Sequence, residues 1–573
     1  MKIYIQTFNF IKKYQSYSIY LLIGIFVFSS FIEAIGISLV MPIIAIVIEE
    51  NFLQILKNSS FGVYVPEFIL NMEREKALMF FSIFVIIIYF LKNLILIVTE
   101  YLKSIFVNGI KEKISTTMMS KYLHQDYLYH SKKNNSEINS IINQKITDLT
   151  DGFLSSVLVI IAETIMITFL IALVIFFKQI DTFLILIVLF LFGAISAKII
   201  SGFVKKIGTQ RQISVNIKFE NFTNIINNFR EIILTGKTGL YFLKFSNSLK
   251  TIAKMDATRS ALQRSPQLIF ETLGIAGLVL IIYYLMNINA STVKIIAICT
   301  FFSAVCYRAI PSLHKILFFY YNVSYYKPIF TEFLNEIDIE NKIQYHDEKF
   351  NIKNNISLKN ITFKYDDNNF ILNNLNIEIL KNSSIGIFGK SGSGKTTFLD
   401  IISGLVVPNS GMVIVDDQVI ENNYLRRKLQ NNISYISQKT TVINDTLLKN
   451  ICFGVKENEI DIERYNKTVE ICELKNIAKD FDQKLKRVSD SGSNISGGQL
   501  QRIGLARAIY QNKDILIFDE ATNSLDEKTA DKIMNNILDI KNKTIITVSH
   551  NLENLEKYDQ LYEFKNKNII KIR

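Results

Sequence analysis

Long, almost wholly apolar stretches dominate the first 320 residues of the chain. Six of them lie at 19–48, 77–98, 153–177, 180–200, 268–286 and 293–320. A helix rises about 1.5 Å per residue, so about 20 apolar residues cross a hydrocarbon core roughly 30 Å thick. The pattern therefore predicts an α-helical membrane domain with six transmembrane helices, over residues 1–334.

The polar segments between these spans differ in length and in basic charge. Residues 103–152 and 199–264 are long, polar and helical in period, and they contain seven and eleven Lys or Arg residues. Residues 49–76 contain three. Because basic loops stay on the cytoplasmic side of a membrane, we expect both long segments and both termini to be cytoplasmic. We also predict that spans two to five continue as helices well past the membrane.

Two short stretches with aromatic residues, at 123–127 and 241–245, are candidates for the points where these helices turn round. Exposed aromatic side chains at an otherwise polar tip mark contact surfaces. We therefore predict that the two tips dock onto another protein surface. The alternative is that they pack within their own loops.

After residue 334 the pattern changes. A charged segment without periodicity at 335–355 is interpreted as a linker, and short β-rich runs then alternate with helical segments. The predicted strands are 361–363, 377–379, 384–388, 433–436, 515–518 and 544–548. Such alternation is typical of an α/β sheet, which binds ligands at the carboxyl ends of its strands. We predict an α/β domain over residues 356–573.

Composition and charge agree with this division. Of the 573 residues 49% are apolar, and the formal net charge is +12. The basic residues mostly flank apolar spans, which favours membrane orientation over nucleic-acid binding, so no nucleic-acid partner is expected. The four cysteines have neither a disulfide nor a zinc spacing, which fits a reducing cytosolic side; they are Cys299, Cys306, Cys452 and Cys472.

The predicted strand at 384–388 leads into the glycine-rich stretch GKSGSGKTT and then into a helical segment. Strand, glycine loop and helix with this spacing form a P-loop, whose backbone N–H groups point at phosphate oxygens. Lys395 then reaches the β- and γ-phosphates, and the Thr396 hydroxyl is a ligand for Mg²⁺. The predicted nucleotide-binding residues of this loop are Gly389, Lys390, Ser391, Gly392, Ser393, Gly394, Lys395, Thr396 and Thr397.

A second stretch, ILIFDE at 515–520, ends an apolar strand in two carboxylates. Asp519 is suited to a Walker-B role, in which it holds Mg²⁺ through water beside Thr396. Glu520 follows directly and is placed to orient or deprotonate the attacking water as a catalytic residue. A strand that ends in ordinary surface acids is the alternative, and the P-loop upstream disfavours it.

Two more motifs complete a family pattern: ISGGQ at 495–499 stands before the two acids, and His550 follows the strand predicted at 544–548. In this order the motifs closely resemble those of ABC ATPase domains. The resemblance implies that Tyr365 stacks on the adenine of ATP and that Gln438, in YISQ, contacts Mg²⁺ and the membrane domain. It also implies a catalytic role for His550, which contacts the γ-phosphate.

The resemblance further implies a dimer. In the family, the SGGQ loop of one subunit closes over the P-loop nucleotide of its partner, and SLD at 524–526 matches the neighbouring D-loop. The residues assigned to this function are Ser496, Gly497, Gly498, Gln499 and Asp526. One ATPase domain per chain then implies a homodimer with two shared sites, each binding ATP and Mg²⁺. Because Glu520 is retained, both sites are expected to hydrolyse ATP.

Six spans followed by one such domain resemble the exporter class of ABC half-transporters. Two membrane stretches, FIEAIGISLVMP at 31–42 and YRAIPSLHKI at 307–316, resemble flippases for lipid-linked oligosaccharides. Those proteins move undecaprenyl-diphosphate-linked sugars across the bacterial inner membrane. The resemblance implies a multi-pass inner-membrane flippase for a polyprenyl-diphosphate-linked glycan, with a cytoplasmic ATPase domain. The chain departs from these flippases at Gln267, where an arginine is expected.

Three basic residues, Lys92, Arg308 and Lys315, lie within predicted spans. A charged side chain at mid-membrane costs about 2.5–3.5 kcal/mol on insertion scales, so such a residue usually has a function. An arginine that lines a water-filled cavity can hold a diphosphate through paired N–H donors, which favours a substrate role for Arg308. For the two lysines, substrate binding and snorkelling or ion pairing are weighed equally. The candidate acidic partners are Glu33, Glu100, Glu163 and Glu271.

Three other functions remain open. A general exporter of drugs, lipids or peptides shares the ATPase chemistry; a basic cavity favours the flippase, whereas an aromatic and methionine lining favours drugs. A soluble ABC ATPase that acts on nucleic acid conflicts with six membrane spans. A non-transporting channel or regulator usually has a degraded Walker-B acid, and Glu520 argues against it.

Overall fold

The chain forms two compact units. The first consists of Met1–Leu123 and Lys133–Glu340, and the second of His124–Lys132 and Asn341–Arg573. The computed structural model describes residues 2–38, 46–47, 73–133, 135–177, 180–337, 340–343, 345–365, 369–483, 487–488, 495–550 and 552–573. Most of the far end of the first predicted span, and residues 39–42 of the stretch at 31–42, lie outside the described residues.

The described part of the first unit is helical. Its helices are α1 (Lys2–Tyr14), α2 (Ser16–Ser38), α3 (Arg74–Leu123), α5 (Asn135–Ser140), α6 (Ser155–Phe176), α7 (Ile180–Asn227), α8 (Phe229–Leu234), α9 (Thr238–Asn287) and α10 (Thr292–Ile337), while α4 (Tyr127–Lys132) belongs to the second unit. Among the described helices, six segments are long and apolar enough to cross a membrane; they lie in α2, α3, α5–α6, α7, α9 and α10. The predicted number of spans is confirmed.

The second to fifth spans extend far beyond the thickness of a membrane, as predicted. Helices α3 and α9 have 50 residues each and α7 has 48, which corresponds to roughly 70–75 Å. Between α5 and α6 the chain continues through two π-helical segments, Ile141–Lys145 and Asp148–Leu154. There Phe153 stacks on Phe330 of α10, with ring centroids 4.6 Å apart.

One of the two predicted helix reversals is confirmed and the other is wrong. Helix α3 ends at Leu123 and α4 begins at Tyr127, as expected for the stretch 123–127. The stretch 241–245 instead lies inside α9, because the chain turns earlier, between α8 and α9. Gly236, with φ +64°, takes the left-handed conformation that ends a helix after α8. The side chains of Phe242 and Leu243 are exposed, and docking of this stretch stays a prediction.

Two sheets form the core of the second unit. Their strands are β1 (Asn355–Phe363), β2 (Leu372–Leu380), β3 (Ser384–Gly389), β4 (Ser410–Val415), β5 (Gln418–Val419), β6 (Ile433–Ile436), β7 (Ile515–Asp519), β8 (Thr544–Val548), β9 (Gln560–Lys565) and β10 (Asn568–Lys571). The orders are β2-β1-β4-β5 and β10-β9-β3-β8-β7-β6. All six predicted strands are present, and β4, β5, β9 and β10 were not predicted.

The helices of the second unit follow the strands in alternation, as in an α/β domain. Besides α4 they are α11 (Lys395–Ile402), α12 (Asn423–Gln430), α13 (Leu447–Ile451), α14 (Ile462–Ile471), α15 (Lys475–Gln483), α16 (Gly497–Tyr510) and α17 (Glu527–Leu538). Strands β3, β8 and β7 are parallel neighbours and almost wholly buried. Their carboxyl ends therefore meet at one edge, which carries Gly389, Asp519 and, just after β8, His550.

The tip at 123–127 is tied to the α/β part of its unit rather than packed within its own loop. The carbonyl oxygen of His124 accepts hydrogen bonds from the backbone N–H groups of Lys342 and Ile343, at 3.0 and 2.9 Å. The carboxylate of Asp126 lies 3.7 Å from Arg426 on α12. Leu128 packs against the hydrophobic core of the sheets. These contacts lie within the second unit, and docking of the tip onto another protein surface stays a prediction.

Candidate nucleotide-binding site

The P-loop lies between β3 and α11. Gly392 and Gly394, with φ +75° and +111°, adopt backbone conformations that only glycine takes without strain. The loop brings the N-terminus of α11 to the edge of the sheet, so the first helical N–H groups are available to an anion. The ammonium of Lys395 donates hydrogen bonds to the carbonyl oxygens of Gly389 and Lys390, at 2.8 and 3.0 Å. Burial lowers the pKa of Lys395, although the nearby carboxylates of Glu520 and Asp519 oppose this.

Two of the three residues predicted to contact Mg²⁺, Thr396 and Asp519, are in contact with each other. The Thr396 hydroxyl donates to Asp519 Oδ2 at 3.0 Å, and the Tyr435 hydroxyl donates to the same oxygen at 3.2 Å. Burial raises the pKa of Asp519, and both hydrogen bonds oppose that rise. The described residues contain no group of three or more His, Cys, Asp or Glu side chains that could hold a metal. One carboxylate and one hydroxyl do fit Mg²⁺, which takes its other ligands from phosphates and water.

Two other predicted residues, Gln438 and His550, meet at Glu520, together with Asn523, which was not predicted. The Oε2 atom of Glu520 accepts hydrogen bonds from Gln438 Nε2 at 2.8 Å and from Asn523 Nδ2 at 2.9 Å. Its Oε1 atom lies 2.5 Å from His550 Nε2. Glu520 has φ +52°, a strained value for a side-chain-bearing residue, and such strain clusters at functional sites. The amide of Gln438, predicted as a metal contact, is thus directed at Glu520 here.

Tyr365 lies at the rim of the P-loop. Its hydroxyl is 3.4 Å from Thr397 Oγ1, and its ring meets that of Phe363 edge-on at 4.9 Å between centroids. The side chain is 41% exposed, so part of the ring is accessible to a flat partner such as adenine.

The SGGQ loop lies at the start of α16. Ser496 caps this helix: its backbone N–H donates to Gln499 Oε1 at 2.9 Å, and its hydroxyl accepts from Gln499 N at 3.3 Å. Gly498 packs against the backbone of Ser524, and Asp526 caps α17. Within the described residues, no hydrogen bond or ion pair of 496–499 reaches the P-loop of the same chain. Thus the structure of one chain does not bring these two predicted parts together.

Sequence reasoning missed three residues of the site. Tyr435 stands three positions before Gln438 in the same YISQ stretch, and it lies on β6, which pairs with β7. Asn523 stands three positions after Glu520. Asp400, on α11, is buried close to Asp519. Tyr435 and Asn523 could have been found from the sequence, because each stands near a recognised motif residue. The burial of Asp400 could not be predicted from the sequence.

Asp400 allows a prediction of pH dependence. Burial, followed by the charge of Asp519, raises the pKa of Asp400 from 3.8 to about 6. Because the folded-state pKa is raised, ionisation destabilises the fold as pH rises through about 4 to 6, by up to about 3 kcal/mol. We expect Asp400→Asn to raise the Tm of the nucleotide-free full chain more at pH 7.5 than at pH 5. An equal rise at both pH values, or a rise matched by the exposed control Asp531→Asn, would contradict this assignment.

The three basic residues of the membrane spans do not share one environment. Arg308 Nε lies 2.7 Å from Glu33 Oε1, and its Nη2 donates to Glu33 Oε2 at 2.9 Å and to Glu163 Oε2 at 3.3 Å. Lys315 Nζ donates to Glu163 Oε1 at 2.8 Å. Lys92 stands apart from these ion pairs, with its ammonium 4.4 Å from the centre of the Tyr89 ring. Arg308 and Lys315 are thus paired with acids, the alternative raised from the sequence.

A cleft of about 700 Å³ contains this cluster. Among the described residues, its charged lining consists of Glu33, Glu100, Glu163, Lys103, Arg308 and Lys315, and Glu100 pairs with Lys103 at 2.5 Å. The fourth candidate acid, Glu271, accepts a hydrogen bond from Gln267 outside this lining. In the described part of this lining three acids balance three bases, which corresponds neither to the basic cavity nor to the plain aromatic and methionine lining considered above.

Comparison with known proteins gives matches to both units. The family model "ABC transporter transmembrane region" matches residues 20–313, and the model "ABC transporter" matches residues 372–523. The chain is 34% identical over 223 residues to the ATP-dependent lipid A-core flippase of Pseudoalteromonas translucida (strain TAC 125). It is 35% identical over 225 residues to the alpha-hemolysin translocation ATP-binding protein of Escherichia coli O157:H7.

Both matches cover 38% of this chain, and the chain spans 38% and 30% of the length of these two curated relatives. A solved structure, that of a bacterial Atm1-family ABC exporter with ATP bound, is similar over nearly its whole length. The TM-score is 0.76 at 15% sequence identity, with 96% of this chain and 94% of that chain covered. The fold is therefore that of an ABC exporter: six long apolar helices followed by an α/β ATPase domain.

Proposed function

This chain belongs to the ABC transporter family, and on that premise we propose that it is an ATP-driven exporter that acts as a homodimer. The observation that carries the proposal is the arrangement around Glu520, whose carboxylate is held by Gln438, Asn523 and His550 beside the P-loop. A carboxylate so fixed can orient a water molecule and accept its proton. Lys395 and the N–H groups of the loop neutralise charge on the phosphates.

Magnesium fits this proposal through Thr396 and Asp519, and when bound it neutralises charge on the phosphate oxygens. The Tyr435 hydroxyl holds the Asp519 carboxylate in its orientation. Tyr365, at the loop's rim, offers the accessible part of its ring, on which adenine stacks. These residues bind and position the nucleotide, and Glu520 is the catalytic residue.

The dimer is supported by the surfaces that one chain leaves open. Ser496 and Gly497 are exposed at the N-terminus of α16, where backbone N–H groups suit a phosphate. A second copy related by a two-fold axis supplies such a surface to each P-loop. The exposed apolar side chains of Leu234 and Phe242, around the turn between α8 and α9, likewise suit a surface of that second copy.

For the cargo, we propose a polyprenyl-diphosphate-linked glycan, moved across the bacterial inner membrane with the ATPase unit in the cytoplasm. Support comes from the charged cluster within otherwise apolar spans, since such residues mark substrate pathways. Arg308 offers a planar set of donors that suits phosphate. The stretch at 307–316, which resembles flippases for lipid-linked oligosaccharides, contains both Arg308 and Lys315. The basic segments 103–152 and 199–264 support the orientation.

A general exporter of drugs, lipids or peptides is the second candidate. The equal number of acids and bases in the cleft favours it, because a zwitterionic cargo such as a peptide matches a balanced lining. Both candidates share the ATPase chemistry, so only the cargo separates them.

The diphosphate proposal predicts the effect of Arg308→Ala. Because each charge-assisted hydrogen bond to phosphate contributes about 1.5–3 kcal/mol, binding of a lipid diphosphate is expected to weaken ~10-fold or more. Arg308→Lys is expected to restore only part of this affinity, since an ammonium cannot make the paired contact. The measurement is lipid-stimulated ATP hydrolysis together with glycan translocation in proteoliposomes.

Lys198→Ala, which removes an exposed basic side chain from α7, is the matched control and should leave both activities unchanged. A purely structural role of Arg308 predicts something else, namely loss of folding and of basal ATP hydrolysis together, because Glu33 is left buried without its partner. Normal translocation of lipid-linked glycan by a folded Arg308→Ala variant would show that Arg308 does not bind the diphosphate.

A further inference from the structure

Arg308 is held by an imperfect partner. Its side chain is 17% exposed and that of Glu33 is 11% exposed, so the pair is largely removed from water. The Nη2 group donates a hydrogen bond to Glu33, but Nε–H has no acceptor among the described residues although Glu33 Oε1 lies 2.7 Å away. The N–H is therefore not aimed at the carboxylate. A buried donor left unsatisfied in a cleft suggests that a different ligand fits it better.

The two acids of the cluster are held very differently. Glu163 accepts hydrogen bonds from Arg308, from Lys315 and from the Ser312 hydroxyl, the last at 2.7 Å. Among the described residues, Glu33 accepts from Arg308 alone. Removing Glu163 from its place breaks three contacts, whereas removing Glu33 breaks one ion pair. Glu33 is therefore the carboxylate that can be exchanged.

A displaced Glu33 would have a partner close by. Gly36 follows three residues later on the same face of α2, and a Cβ atom there would lie 3.5 Å from the side chain of Lys92. The Lys92 ammonium lies over the Tyr89 ring, and among the described residues no acid accepts a hydrogen bond from it. Movement of the Glu33 side chain from Arg308 toward Lys92 would leave no carboxylate without a nearby cation.

We propose that Glu33 is a specificity-determining residue that competes with the ligand for Arg308: its carboxylate occupies the anion site until a dianionic phosphate or diphosphate headgroup replaces it. The tetrahedral oxygens of such a group can satisfy Nε and Nη2 together, which Glu33 does not. A monoanion offers no more charge than Glu33 and is rejected. That the headgroup is carried by a lipid rests on the proposed function.

The test compares Glu33→Gln, which keeps the shape of the side chain and removes its charge, with wild type. The probe is undecaprenyl diphosphate, titrated into the purified full chain in nanodiscs, with undecaprenol as the tail-only control. Because Glu33→Gln removes the competing anion, it is expected to bind the diphosphate about 10-fold more tightly, with undecaprenol unchanged. Glu100→Gln is the matched control, since Glu100 lines the same cleft but pairs with Lys103, and its affinity should equal that of wild type.

A second measurement needs no lipid. Sodium sulfate supplies a tetrahedral dianion, and its general stabilising effect is common to all variants. With ADP saturating the P-loop, Glu33→Gln is expected to gain an additional sulfate-dependent rise in Tm of about 2 °C or more over wild type and Glu100→Gln, measured against sodium chloride.

The two measurements separate the two claims. If wild type and Glu33→Gln bind undecaprenyl diphosphate with equal affinity, the competitor role of Glu33 is wrong. If wild type binds no diphosphate lipid, the proposed function is wrong, and the sulfate titration alone then decides the role of Glu33. An additional sulfate-dependent rise in Glu33→Gln supports the competitor role in that case, and its absence overturns it.

Discussion

Replacement of Glu520 by Gln is expected to slow ATP turnover at least ~10²-fold while ATP binding is retained. The amide has nearly the size of the carboxylate and can still accept a hydrogen bond from Gln438 or Asn523. It cannot accept a proton from the attacking water. Of the acids at this edge of the sheet, Asp519 is already engaged by Thr396 and Tyr435, so it is not free to replace Glu520.

Steady-state ATP hydrolysis by the purified full chain, together with equilibrium binding of ATP, tests this expectation. Glu463→Gln is the matched control, because Glu463 is an exposed acid in the first turn of α14 and this substitution is the same chemical change outside the site. Turnover close to wild type in a folded Glu520→Gln variant would show that the catalytic acid has been misassigned. Loss of ATP binding in that variant would instead point to a role of Glu520 in holding the nucleotide.

The parts of the nucleotide site that sequence could predict are those fixed by short-range rules. A glycine-rich loop with this spacing between a strand and a helix indicates phosphate binding. Two acids that follow a buried strand in the sequence must lie where that strand ends. Because β3, β8 and β7 are parallel neighbours, these pieces are brought to one edge of the sheet. Tyr435 was not predicted as a site residue, because tyrosine is common on strands and the sequence does not show that its hydroxyl contacts Asp519.

Helix positions in the membrane unit were predictable, and side-chain pairing was not. Apolar length alone gives six spans, since the hydrocarbon core sets a minimum length. Four acids were candidate partners for Arg308. Helix α6 packs against α10 and α2 packs against α6, and this arrangement brings Glu163 and Glu33 to Arg308. In the described part of its lining, the cleft therefore contains equal numbers of acidic and basic side chains, and not the excess of basic ones that favours a flippase. The second helix reversal lies at Gly236, whose left-handed backbone makes the turn, and not at the aromatic residues of 241–245, which continue the helix α9.

Sharing of ATP sites between two chains predicts complementation between two inactive variants. Ser496→Arg places a long cation at the loop that would cover the partner's nucleotide, and Lys395→Ala removes the ammonium that reaches the phosphates. In a homodimer of either variant, both sites carry one defect. In a mixed dimer, the P-loop of the Ser496→Arg chain meets the intact SGGQ loop of the Lys395→Ala chain. One of its two sites is then intact, and the other carries both defects.

We expect each variant alone to hydrolyse ATP at least ~10²-fold more slowly than wild type. Lys395→Ala removes the ammonium that stabilises phosphate charge in both sites, and Ser496→Arg obstructs in both sites the loop that covers the partner's nucleotide. Random pairing of equal amounts leaves about a quarter of all sites intact, so the mixture should recover up to that share of wild-type hydrolysis. Co-expression with two affinity tags isolates the mixed dimer, whose activity should exceed that of either parent.

The control is a chain that carries both substitutions. Paired with the Ser496→Arg chain, it leaves no intact site in any dimer, so that mixture should recover nothing. Ser496 also caps α16, and loss of this cap costs about 1 kcal/mol, which a folded domain tolerates. Normal hydrolysis by either parent alone would contradict shared sites. Equal activity in the mixed dimer and in this control would mean that the SGGQ loop serves the P-loop of its own chain, and the homodimer would then lose its mechanistic basis.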